Sequence, residues 1–314
     1  MTRVQDIYPK DRVSLREVGL RDGLQLVKTY PSTAAKQRWI RDEYGAGVRH
    51  FEIGSFLPAS SFPQFADVRE MVATVAALPG AHGIALVLNE HGVNDALASG
   101  VAEIASVVSA TEQHSQANAR RPRDQAIANI RRLCELRDAS PHRPIVHAAI
   151  SMALGCSIAG PVDPQEVIRI AEKCFAAGAD VVGIADTVGY AGPKQVGALT
   201  EAIVRMSKNP VCVHLHDTRG MGIANASAAL DAGARILDGS LGGLGGCPFA
   251  PGATGNVVFE DLVFLCESKG FATGIDIERL VAVRAILRSE MPDEPLYGGL
   301  ARAGLPAGNN GAAA

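Results

Sequence analysis

Residues 164–186 read PQEVIRIAEKCFAAGADVVGIAD. A segment of helical period over Pro164–Ala177 stops at Gly178, where a helix C-cap wants glycine, and the short apolar run Asp180–Ala185 then reads as a strand. The same Ala-Gly joint recurs at Ala46–Gly47 and Ala232–Gly233–Ala234, so the helix-to-strand unit is repeated. Repeated along the chain, the unit predicts strands at Val13–Gly19, His50–Gly54, Gly83–Leu88, Glu103–Ser109, Ile145–Met152, Asp180–Ala185, Val211–His216 and Arg235–Leu241. Helices are predicted at Thr33–Ala46, Gln64–Ala77, Glu90–Ser99, Arg123–Ala139, Pro164–Ala177, Pro193–Ser207, Ala224–Ala232 and Val257–Lys269. Such alternation marks an α/β protein with a parallel sheet, and eight βα units most naturally close into a (β/α)8 TIM barrel, although an open doubly wound sheet has the same periodicity. An additional C-terminal helical segment, Asp276–Ser289, completes one catalytic domain over residues 1–297. A Gly/Ala-rich tail over 298–314 is expected to follow it.

Composition narrows the function. Lys and Arg number 30 against 33 Asp and Glu, a net charge of −3, so the basic excess that drives nucleic-acid binding is missing. Partners are expected to be small molecules or further copies of the chain, as a homodimer or higher homo-oligomer. No apolar run reaches the roughly 18 residues that span a bilayer, and Met1–Arg12 carries no apolar core, so a cytoplasmic location with no membrane partner is expected. The cysteines Cys134, Cys156, Cys174, Cys212, Cys247 and Cys266 form no CxxC pair, which argues against a disulfide frame or a thiolate zinc site. All but Cys247 read as packing residues.

A barrel's active site forms at the C-terminal ends of its strands. There the sequence places Arg21, Asp22, Glu52, Asp186, His214, His216, Cys247 and Asn256. Residues i and i+2 of a strand share a face, so His214 and His216 can reach one ion. Asp22 can complete such a site or cap the turn it begins. The glycine-rich loop from Gly242 to Asn256 carries a single thiol, Cys247, suited to proton exchange, or it is a plain flexible connector. Asn256 can cap the next helix or give its amide oxygen to a metal.

At these residues the chain resembles the 3-hydroxy-3-methylglutaryl-CoA lyase family of metal-dependent barrels. Four stretches carry the resemblance: Glu17–Gln25, Ser55-Phe56 with Pro63-Gln64, Val213–Thr218, and Gly243–Ala250. The last, Cys-bearing stretch separates the lyases from condensing synthases of the same fold. The resemblance implies a divalent cation, usually Mg2+ or Mn2+, held by Asp22, His214, His216 and Asn256. It implies that Arg21 and Gln25 meet an acyl-CoA substrate, that Arg21, Cys247, Asp186 and Glu52 are catalytic, and that Glu260 supports the site. The implied reaction splits a 3-hydroxyacyl-CoA into acetyl-CoA and a ketoacid such as acetoacetate by metal-assisted retro-aldol or Claisen cleavage. Departures from the family pattern fall at Leu20, at Leu26-Val27, at Pro58–Ser61, at Arg219 and at Leu154–Ala159. They leave a related acyl group, such as that of citramalyl-CoA, open. A condensing synthase and a non-catalytic CoA-ester-binding barrel are the rival readings.

Overall fold

The computed structural model describes residues 3–246 and 255–306. Eight strands, β1 Ser14–Glu17, β2 His50–Ser55, β3 His82–Val87, β4 Glu103–Ser109, β5 Ile145–Ser151, β6 Val181–Asp186, β7 Cys212–Leu215 and β8 Ile236–Gly239, pair in sequence order as one closed parallel barrel. The seam joins β8 to β1 through Leu15↔Leu237 and its neighbours. Every predicted strand is present, and most of the predicted helices fall within a residue or two of their expected ends. The joint glycines Gly178, Gly233 and Gly270 have φ of 100°, 97° and 83°, left-handed values that explain why glycine stands there.

Two helical expectations shift for physical reasons. The stretch expected as one helix over Gln64–Ala77 divides into a 3-10 turn, Pro63–Phe65, and a helix, Val68–Ala76. The helix expected from Val257 starts at Phe259, because Val257 and Val258 are held in extended pairing with the ends of β7 and β8. Short helices at Arg3–Ile7, Glu112–Ala119 and Leu300–Ala303 complete the described elements. The last of these lies in the segment expected as tail, where the amides of Gly299 and Leu300 donate to Asp261 at 2.7 and 2.9 Å. None of the described helices is long and apolar enough to cross a membrane.

The aliphatic core lies mainly between barrel and helices, around Trp39, Ile40, Phe51, Ile104, Ile130 and Phe259, all fully buried. Each such side chain contributes about 1.5–3 kcal/mol of burial. Four of the cysteines expected to pack do so in helices and β7, and Cys156 is buried as well. The barrel interior is different, since Arg16, Glu103, His147, Cys212 and Asp238 occupy it where branched aliphatics usually stand. Beneath them Val4 and Tyr8 close the floor against Ile145, Val181 and Ile236.

His147 makes this floor sensitive to acid. Its burial and the neighbouring Arg16 push the imidazole down to about 4. An unfolded chain takes up that proton near pH 6.5 and the folded one does not, so stability is lost as pH falls from about 6.5 to 4, with a slope of up to about 1.4 kcal/mol per pH unit. Thermal melts of the wild type against His147→Gln should show the wild type losing ground across that window. A constant difference between the two would show that His147 is protonated in the fold.

Candidate active site and metal centre

After β1 the chain makes a wide turn, Gly19–Gly23, in which the Val18 carbonyl accepts from the amides of Arg21, Asp22 and Gly23 at 3.1, 2.8 and 3.2 Å. The turn swings Arg21 and Asp22 over the barrel mouth. His214 and His216 stand at the end of β7 with Leu215 between them buried on the other face, and their Nε2 atoms lie 3.1 Å apart. Asp22 Oδ2 lies 3.5 Å from His216 Nε2 and 3.9 Å from His214 Nε2. Asn256 arrives because residues 255–258 pair with the strand ends: Asp217 N donates to Gly255 O at 3.0 Å and Val257 N to Leu215 O at 3.1 Å. Asn256 Nδ2 donates to Asp22 Oδ2 at 2.8 Å and to Leu244 O at 3.1 Å. Its Oδ1 is buried and, among the described residues, has no partner.

The four residues expected as ligands are therefore brought together. Two facing imidazole nitrogens, a carboxylate and an orphaned amide oxygen are donors that suit a divalent cation. Burial works against ionisation of Asp22, but the Arg21 charge and the two imidazoles outweigh it and hold the carboxyl well below its usual range.

The glycines of the loop serve this assembly. Gly245 and Gly255 have φ of 126° and 101°, and a Cβ on Gly255 would lie 2.3 Å from Gly243 O. Gly255→Ala should cost about 2 kcal/mol or more through backbone strain and this clash, read as a lowered denaturant midpoint. An unchanged midpoint would mean that the 255–258 pairing does not hold the loop.

Arg21 links the other polar groups. Its Nη1 donates to Asp22 Oδ1 at 2.7 Å and to Gln25 Oε1 at 3.2 Å, and its Nε lies 2.8 Å from Glu52 Oε2. Burial raises the Glu52 carboxyl and Arg21 partly offsets this. Arg21, Gln25, Glu52 and the two histidines line a cavity of ≈ 230 Å³ whose other walls include Leu86 and Val107.

Two expected site residues lie off the cavity wall. Asp186 is off the cavity wall, with its oxygens accepting from the amides of Tyr190 and Ala191 at 2.8 and 3.1 Å. In this placement it shapes the loop after β6. Burial raises its carboxyl. Glu260 sits under the glycine-rich loop, accepting from Gly242 N at 2.9 Å and Arg284 Nη1 at 2.7 Å. Cys247 lies outside the described residues, and Gly246 borders the cavity.

Sequence reading missed Asp238, whose Oδ2 meets His214 Nδ1 at 3.0 Å, and His114 and Asn118 on the cavity wall. The signal for Asp238 was a carboxylate on the same strand face as Ile236 and Ser240. The helix bearing His114, EQHSQANA, has no apolar stripe that would reveal it.

The HMGL-like family profile matches residues 12–287. This chain belongs to the HMGL-like family. It is 34% identical to a hydroxymethylglutaryl-CoA lyase of Bacillus subtilis, over 90% of this chain and 94% of that one. It is 36% identical to an (R)-citramalyl-CoA lyase of Chloroflexus aurantiacus, over 87% and 89%. An HMG-CoA lyase of Acinetobacter baumannii, solved with coenzyme A and 3-methylmalate, superposes with a TM-score of 0.88 at 31% identity and 98% coverage of both chains. None of the residues read as departures from the family pattern is among the cluster's donors. Arg219 ties the loops after β6 and β7 together, donating to Val188 O at 2.9 Å and Gly189 O at 3.1 Å and lying 4.6 Å from the Tyr190 ring.

Proposed function

We propose that this HMGL-like chain is a divalent-cation-dependent lyase that cleaves 3-hydroxy-3-methylglutaryl-CoA into acetyl-CoA and acetoacetate. The observation that carries the reading is the convergence of His214 Nε2, His216 Nε2 and Asp22 beside Arg21, with Asn256 joined to Asp22 through its Nδ2 and its buried Oδ1 unpartnered among the described residues. A cation held by these residues, Mg2+ or Mn2+, would lower the pKa of the substrate's 3-hydroxyl and orient it.

The protein's own groups account for the rest. Cleavage breaks the C2–C3 bond, takes the proton from the C3 hydroxyl and returns one to C2. Arg21 is the permanent positive charge placed to meet the oxygen of the departing thioester enolate, where negative charge develops. Glu52 is a carboxylate on the cavity wall beside Arg21, raised by burial, and is placed to exchange a proton with a bound substrate. Cys247, following Gly246 at the cavity edge, is the proposed donor to C2, a role that rests on the family resemblance. Asp186 and Glu260 are proposed to act through the loops they hold.

The test is removal and return of the cation. Exhaustive chelation should abolish cleavage, and Mg2+ or Mn2+ should restore it. Full activity in the chelated, metal-free protein would overturn the reading.

A further inference from the structure

The barrel floor holds a chain of charges that ends on a proposed metal ligand. Asp238 Oδ2 stands 3.0 Å from His214 Nδ1. Arg16 grips the same carboxylate with both arms, Nε to Oδ1 at 2.6 Å and Nη2 to Oδ2 at 2.9 Å. The guanidinium is fixed in turn, with Nη1 3.2 Å from Glu103 Oε1 and 3.1 Å from His147 Nδ1, and Nη2 3.1 Å from Cys212 Sγ. Glu103 is anchored by Tyr8 Oη at 2.7 Å and by His82 Nε2 at 2.9 Å. Arg16, Asp238 and Glu103 are 3%, 5% and 0% exposed.

Burying ions is a poor way to stabilise a barrel. The desolvation penalty commonly cancels the attraction, and well-packed aliphatics usually serve as well or better. What the charged floor does supply is a carboxylate that cannot rotate. We infer that Arg16 and Asp238 are a positioning pair that sets the tautomer of His214, so that its Nε2 carries the lone pair offered to the cation.

The step follows from donor inventory. A carboxylate only accepts, so the atom facing it, Nδ1, must carry the hydrogen, and a neutral ring then has its lone pair on Nε2. That nitrogen is the one 3.1 Å from His216 Nε2 and 3.9 Å from Asp22 Oδ2. Arg16 matters because its two-pronged grip leaves Asp238 no alternative orientation. Tyr8, at the far end, ties the helix Arg3–Ile7 to the same chain of contacts.

The inference rests on the metal centre proposed above, and its test separates the two. Mn2+ binding to the full chain would be measured by calorimetry for the wild type, His214→Ala, Asp238→Asn and Arg16→Gln. The ring 15N shifts of His214 would be recorded in the metal-free proteins. In Asp238→Asn either orientation sets the amide nitrogen against an Arg16 donor, Nη2 on the His214 side or Nε on the other, so the acceptors decide: turned toward His214 it meets the imidazole Nδ1, and turned away only the weakly accepting Cys212 sulfur. The hydrogen then moves to Nε2, the 15N pattern reverses, and Mn2+ affinity falls about 10–100-fold. Arg16→Gln keeps the Asp238 contact, so it should retain the tautomer and lose several-fold in affinity. It tests the pair independently if Asp238→Asn does not fold. Wild-type affinity in both variants, with the tautomer unchanged in Asp238→Asn, would overturn the inference while leaving the metal centre standing. No Mn2+ binding by the wild type, or full binding by His214→Ala, would overturn the metal centre and the inference with it.

Discussion

His216→Ala should lose divalent-cation affinity by more than about a hundredfold, beyond the cost of losing a residue that only orients a ligand, and turnover should fall by about a thousandfold or more. The fold should survive. His216 stands just past β7, its Nδ1 has no partner among the described residues, and its Nε2 meets only His214 and Asp22. Truncation therefore removes no bond that holds the barrel. Calorimetry with Mn2+, steady-state kinetics and a thermal melt on the same preparation check the three parts. Retained affinity alongside lost turnover would mean that His216 acts on the substrate and not on a cation.

Arg21→Met should lower kcat by about 10²–10³-fold, the loss typical of removing a charge donor from a developing oxyanion. Its effect on the cation has the opposite sign. Arg21 Nη1 lies 2.7 Å from Asp22 Oδ1, so deleting its charge leaves Asp22 freer to attract a cation, and Mn2+ affinity should hold or rise. The same change leaves Glu52 buried without its partner, which raises that carboxyl further. A catalytic loss with undiminished cation binding separates a substrate-facing arginine from one that merely supports Asp22. If affinity and kcat fall together, Arg21 belongs to the scaffold of the metal centre.

How much of this was legible in the chain depended on whether the signal was local. Strands were read well because each is a short apolar run bounded by a turn, and the glycine at each joint marks where a helix must stop. The His214–His216 pair was legible for the same reason, since period two settles its geometry without any knowledge of the rest. Asn256 was ambiguous because its placement depends on residues 255–258 pairing with strand ends, a contact that looks like the start of a helix in the sequence. Asp186 is a different case. A carboxylate at the end of a barrel strand suggests catalysis, yet its neighbours Tyr190 and Ala191 turn back to occupy it. Arg16 and Asp238 meet across the β1–β8 seam, 222 residues apart, and nothing in either strand alone announces the partner.

Product analysis distinguishes the lyase from its rivals in one measurement. The purified protein, reconstituted with Mg2+ or Mn2+, would be incubated separately with 3-hydroxy-3-methylglutaryl-CoA and with citramalyl-CoA, and the products followed by mass spectrometry. Acetyl-CoA and acetoacetate in equal amounts are expected from the first. Pyruvate from the second alone would contradict the proposed substrate. Consumption of acetyl-CoA with a 2-oxoacid, without cleavage of either ester, would contradict the lyase reaction itself.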